Sequence, residues 1–260
     1  MMAKLLRLIT TIAGLIFLWW LVVWSTSLPK FILPSPLQVF DKFVQRYEII
    51  FENAATTATE ILLGLAFGIS LGVLSALAIS LHRGVKQWVM PMLIASQAVP
   101  VFAIAPLLVL WFDYGITSKV VMATLIIYFP VTVSFLDGLN RTSSDWRDMA
   151  SVMQTGSKSM APMRLIRLYR YIKIPFALPS LASGIRVAAA VAPIGAVVGE
   201  WVGSSSGLGY LMLHANGRMQ TDLLFASLLT LTVMAITLFY LIDYILRYAL
   251  KWQPDQETLT

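Results

Sequence analysis

Apolar residues run in long unbroken stretches, and the polar residues collect in the short segments between them. Six runs, near 7–27, 55–81, 88–112, 116–138, 176–200 and 222–247, stand out. Each approaches or exceeds the roughly 20 residues that an α-helix needs to cross about 30 Å of hydrocarbon. A closed β-barrel also satisfies every backbone group in lipid, but its strands alternate in segments of about ten residues. The pattern therefore predicts an all-α polytopic membrane protein, with residues 1–260 forming a single transmembrane domain of about six helices.

The breaks in the pattern add detail. Leu33-Pro34-Ser35-Pro36 stops the first helix, Ser35 can cap the next, and Val39, Phe40, Phe43 and Val44 among charges predict a short interfacial helix over 37–48 on the outer face. Gly64, Gly68 and Gly72 fall at intervals of four, on one stripe of the second span. Such a stripe lets helices approach closely in lipid; packing inside the subunit is the favoured reading and a dimer face the alternative. Pro91, Pro100 and Pro106 punctuate the third span around Gln97, and Pro130 interrupts the fourth. Prolines in spans free carbonyls that a neighbour or a water-lined cavity must satisfy, and broken spans are where polar solutes are handled.

Composition agrees with this reading: 58% of the residues are hydrophobic and 12% charged, about half the charged share of a soluble domain. Charge then orients the spans. With the N-terminus inside, the inner segments hold Lys4, Arg7, Arg83, Lys86, Arg141, Arg147, Lys158, Arg164, Arg167, Arg170, Lys173, Arg247 and Lys251, and the outer ones Lys30, Lys42, Arg46, Lys119 and Arg218. Thirteen against five places both termini in the cytoplasm. That asymmetry accounts for the basic balance without a nucleic-acid partner. The first run is read as a span and not a cleaved signal, because it is long and carries Trp19, Trp20 and Trp24. There is no cysteine, and the two histidines, His82 and His214, lie on opposite sides, so no metal site is expected.

The long inner segment, 139–175, is the most informative. From Asn140 to Lys173 it holds seven basic and two acidic residues, with Leu165, Ile166, Leu168, Tyr169 and Ile172 at helical spacing between the basic ones. Such a helix lies on anionic lipid or fills a groove on a partner. Ile174-Pro175-Phe176-Ala177-Leu178-Pro179 should end it, since each proline removes a donor and strains the preceding turn.

Here the sequence resembles the membrane-spanning permeases of binding-protein-dependent ABC importers, in the branch that includes sulfonate, taurine, nitrate and thiamine-precursor systems. Asp148-Met149-Ala150, Gly156, and Ile172-Lys173-Ile174-Pro175 with Pro179 resemble that family's cytoplasmic coupling signature. Counted back from Gly156, its acidic position falls on Ala150. Leu33-Pro34-Ser35-Pro36, Ser183-Gly184-Ile185-Arg186, and Gly199-Glu200-Trp201 followed by Gly207-Leu208-Gly209-Tyr210 resemble further family segments in the same order. The stretches Ala192–Gly203 and Tyr210–Asn216 look most like permeases for hydroxymethylpyrimidine or related thiamine precursors, with aliphatic sulfonate, taurine, nitrate or riboflavin as alternative cargoes. The resemblance implies a type I importer fold in a bacterial inner membrane. It implies coupling to the ATPase through Asp148, Ala150, Gly156, Pro175 and Pro179, and a pathway that includes Gln97, Pro100, Pro193 and Glu200. Its implied partners are a cytoplasmic ATP-binding subunit, a periplasmic or lipid-anchored solute-binding protein, a second identical permease and membrane lipid. No cofactor is expected on this chain, which has no G-x-x-x-x-G-K-[ST] phosphate loop.

Two other classes compete. An ion-driven secondary transporter would keep ionisable groups at mid-membrane, whereas Glu60, Asp137, Arg186, Glu200 and Asp243 are expected near helix ends. Gly203-Ser204-Ser205-Ser206-Gly207 matches the G-x-S-x-G of serine hydrolases, with His214 and Asp222 following. That motif needs a strand-to-helix elbow, and a Ser/Gly-rich outer turn is the plainer reading. Glu200 itself is read either as lining the solute entry or as marking the interface. Arg186 either pairs with a carboxylate in the bundle or snorkels toward headgroups.

Overall fold

In hydrocarbon a backbone amide finds no water, so the apolar runs close their own hydrogen bonds as helices. A computed structural model describes residues 2–26, 28–81, 83–142 and 161–252. Its helices are α1 (Met2–Thr26), α2 (Pro36–Gln45), α3 (Tyr47–Leu81), α4 (Arg83–Ala98), α5 (Val101–Phe112), α6 (Ile116–Asn140), α7 (Ala161–Leu168), α8 (Ile174–Gly203), α9 (Leu208–Gly217) and α10 (Thr221–Ala249). A π-helical turn, Tyr169–Lys173, joins α7 to α8. Among the described residues five helices are long and apolar enough to cross a membrane, or six if the bent pair of α4 and α5 is one broken span.

Small residues organise the centre, where α6 lies between α3 and α8. A Cβ added to Gly64 would stand 2.5 Å from Ala123 Cβ, one on Gly68 2.5 Å from Ile127 Cγ2, and one on Gly72 2.8 Å from Val131 Cγ1. Two four-residue stripes therefore interlock, and the glycine stripe is used up within the subunit. On the other flank of α6, Gly184 meets Ser134 and the carbonyl of Pro130, while Gly195 meets the backbone of Ala123. Side chains fill what remains: Ile61, Leu65, Ile127, Val131, Ala188, Ala192 and Ala196 form one buried cluster. Between helices in lipid, contact of this kind replaces the hydrophobic drive that water would give.

The periphery is looser. Along Ile9–Thr26 no residue of α1 is buried. The Trp19 ring stacks on Phe225 at 5.6 Å and its Nε1–H donates to the Pro34 carbonyl at 3.2 Å. Helix α2 starts where Ser35 was expected to cap it. Ser35 N–H donates to Gln38 Oε1 at 3.0 Å and Gln38 N–H to Ser35 Oγ at 3.4 Å, a reciprocal cap with Pro36 in the first turn.

Of the prolines expected to punctuate the third apolar run, Pro100 sits at a sharp break: Gly84–Ala98 and Val101–Phe112 meet at 99°. Pro100 cannot donate to the turn before it, and it biases Val99 away from helical dihedrals. One expectation is corrected: the helix of the 139–175 segment does not end at Pro175. Residues Leu165–Gly203 form one continuous helix, because the chain widens into the π-turn just before the proline. The Ile174 N–H reaches back to the Tyr169 carbonyl, and the extra residue makes room for the Pro175 ring.

Gly68→Val should overpack the α3–α6 seam and destabilise the protein by about 1–3 kcal/mol. Gly14→Val, where nothing lies within 4 Å, should leave the thermal midpoint in detergent unchanged.

Candidate functional site

The second span carries a polar stripe in an otherwise apolar helix: Asn53, Thr57 and Glu60, spaced four and three apart, share one face of α3. That face meets the last turn of α8 and the segment leading into α9. Glu200, 1% exposed, accepts from the Thr57 hydroxyl at 2.6 Å, from Tyr210 N–H at 3.3 Å, and from Gly209 N–H. Thr57 Oγ1 in turn accepts from Leu208 N–H at 2.8 Å, and Asn53 Oδ1 from Gly207 N–H at 2.7 Å. Four consecutive backbone amides, 207–210, are thus held by three side chains. These are the orphan donors at the start of α9, which a carboxylate satisfies well. Gly207 is required here: its φ is 112°, and any Cβ would collide with the Glu200 carboxyl group.

One turn deeper on α3 sits Glu60, neighbour to Glu200, with 0% exposure. Lys119, 5% exposed in the first turn of α6, reaches its Oε1 at 3.6 Å. Among the described residues neither oxygen of Glu60 receives a hydrogen bond. Lys119 is thus the counter-charge of Glu60, with the Glu200 carboxyl group beside it. Lys119 is not an outer-surface charge as its linear position implied. Nor does Glu60 lie near a helix end, because α3 begins at Tyr47, well before the apolar run.

A second joint lies at the opposite end of the bundle. Tyr169, in the π-turn, donates its hydroxyl to the Ser80 carbonyl at 2.8 Å, and the Lys173 ammonium lies 4.6 Å from its ring. Ser80 is in the last turn of α3, where carbonyls have no helical partner. Pro175 and Pro179 occupy the first turns of α8 just beyond, half-buried. Asp148, Ala150 and Gly156 lie outside the described residues.

The other expected residues are dispersed. Gln97 and Pro100 stand exposed at the α4–α5 break, and Pro193 is buried in mid-α8. Arg186 pairs with a carboxylate: its Nε lies 2.6 Å from Asp243 Oδ1 on α10, and Arg247 engages the other oxygen at 2.8 Å. The hydrolase motif assembles no triad. Its serines form a turn between two helices, Asp222 pairs with Lys42 at 3.0 Å, and the His214 ring lies 4.2 Å from that of Tyr210. Asn53, Thr57, Glu60, Lys119 and Tyr169 were missed as site residues. The spacing of the first three along an apolar helix was the available signal.

A glycine-packed helical bundle with one broken span, braced by polar joints at both ends, defines a multi-pass membrane transport scaffold. The chain belongs to the family of binding-protein-dependent transport system inner membrane components, whose model matches residues 68–252. It is 47% identical to a probable ABC transporter permease of Haemophilus influenzae, over 95% of this chain and 97% of that one. It is 34% identical to the formylaminopyrimidine transport permease ThiX of Halalkalibacterium halodurans, covering 93% and 96% of the two chains. It is also 34% identical to the riboflavin transport system permease RibX of Chloroflexus aurantiacus, covering 96% and 91%. The chain is thus an inner-membrane transport subunit of an ABC importer. Membership implies an ATP-binding subunit inside and a solute-binding protein outside.

Lys119→Met should strand Glu60 beside Glu200 without a counter-charge and destabilise the fold by about 3–5 kcal/mol. Glu60→Met combined with Lys119→Met should recover most of that loss in thermal unfolding. An equal loss in the double variant would assign the effect to packing.

Proposed function

We propose that the chain carries a pyrimidine precursor of thiamine through a homodimeric permease. Both termini lie in the cytoplasm, and coupling to the ATPase runs through the Asp148–Gly156 segment. The observation that carries the cargo is the likeness of Ala192–Gly203 and Tyr210–Asn216 to thiamine-precursor permeases. It is joined by the full-length similarity to a formylaminopyrimidine permease. Riboflavin is the second reading, since the permease named for it is equally identical over a similar length.

The geometry supports a pathway at the broken third span. Pro100 frees carbonyls at the break, and Gln97 offers an amide there. Around the break α4 and α5 carry exposed Met92, Ile94, Phe102, Leu110 and Trp111. A second copy would cover it and complete a path with two such breaks. Pro193, buried in mid-α8, belongs to the same proposed path. The inner joint supports the coupling role: a helix docked on an ATPase and continuous with α8 would pass its displacement directly into the bundle.

Uptake into proteoliposomes holding the permease, its ATPase and its binding protein tests the cargo. ATP-dependent accumulation of labelled formylaminopyrimidine or hydroxymethylpyrimidine is expected. Accumulation of riboflavin or taurine in its place would overturn the assignment.

Gly156→Asp and Asp148→Lys should abolish uptake while membrane insertion and dimer yield stay normal. Normal uptake in both would exclude this segment as the coupling element.

A further inference from the structure

The helix that leaves the cytoplasmic joint is the same helix that ends in the outer polar cluster. Leu165–Gly203 is one rod of 39 residues, about 58 Å long at 1.5 Å per residue. Both of its ends are tied to α3. At the inner end Tyr169 bonds the Ser80 carbonyl, and at the outer end Glu200 accepts from Thr57. Between these ties α6 is wedged along both helices, with glycines at the closest approaches. The frame formed by α3, α6 and α8 has little room to shear.

The outer helix α9 is fixed to this frame at its first turn. Three of the amides at its start, those of Leu208, Gly209 and Tyr210, bond to Thr57 and Glu200. Its buried face, Leu208, Leu211 and Ala215, packs against Val39, Ile50, Leu223 and Ala226. Its other face, with Leu213, His214 and Asn216, is exposed toward the outside. Without the polar clasp, α9 would still be covered by apolar neighbours, but its start would no longer be registered to α8.

We propose that Glu200 is a positioning residue that locks α9 to the end of α8, so that engagement of the outer face by the binding protein is transmitted along one braced rod to the cytoplasmic joint. This rests on the importer reading above. The carboxyl group works by holding amides in place: its oxygens are taken up by Thr57, Gly209 and Tyr210. The role divides two quantities that a merely structural group would move together, the basal ATPase activity of the complex and its stimulation from outside.

The test uses the full permease–ATPase complex in proteoliposomes, with and without loaded binding protein. In the wild type the binding protein must stimulate ATP hydrolysis; if it does not, the importer reading itself fails. With that established, Glu200→Ala should assemble and keep its basal rate, while stimulation falls about tenfold, within the range of couplings between distant sites. Glu200→Gln should retain stimulation, because its carbonyl oxygen can still accept from the Gly209 and Tyr210 amides. Full stimulation in Glu200→Ala, or loss in Glu200→Gln equal to that in Glu200→Ala, would overturn the proposal. Should Glu200→Ala fail to assemble, Thr57→Val, which removes the hydroxyl that ties both Glu200 and the Leu208 amide to α3, decides: retained stimulation overturns the proposal, and selective loss of stimulation upholds it.

Discussion

Everything in this structure hangs on how closely α6 can approach its two neighbours. Water expels apolar side chains from a soluble core, but lipid offers a helix nothing to escape from. Cohesion must then come from dispersion summed over many short contacts, and those contacts exist only where one helix lacks side chains. Gly64, Gly68 and Gly72 remove them on α3, and Gly184 and Gly195 remove them on α8. Once the three helices are seated, the positions of the polar joints follow. Thr57 meets Glu200, and Tyr169 meets Ser80, because the register set by the glycines brings them level.

The division of labour follows from the same constraint. The seated helices are stiff, whereas α1, α4 and α5 carry few buried residues and are free to be covered by lipid or by another subunit. A transporter needs both properties: a part that changes shape around the solute, and a part that conveys the change without absorbing it. In the proposed mechanism the break at Pro100 serves the first, and the continuous passage from α7 through α8 serves the second.

The helical membrane class, the short helix with its Ser35 cap, and the intra-subunit use of the glycine stripe were legible in the sequence, because each is encoded locally by period or spacing. The polar layer was not. Asn53, Thr57 and Glu60 read one by one as residues near the end of a span, and Lys119 reads as an outer charge, since linear position does not reveal that α3 starts eight residues before its apolar run. Their partnership is a matter of long-range register. The two proline rules met different fates for a physical reason. At Pro100 nothing relieved the clash and the helix broke; at Pro175 an extra residue relieved it and the helix continued.

That extra residue has an angular consequence. A π-turn is an α-helix carrying one residue too many, and each residue turns the chain by about 100°. Helix α7 is therefore rotated about the axis of α8 relative to where an uninterrupted helix would put it. The direction in which Arg167 projects is set by a count of residues, and a single insertion or deletion in the turn would swing α7 to a different azimuth while leaving every crossing of the membrane where it is.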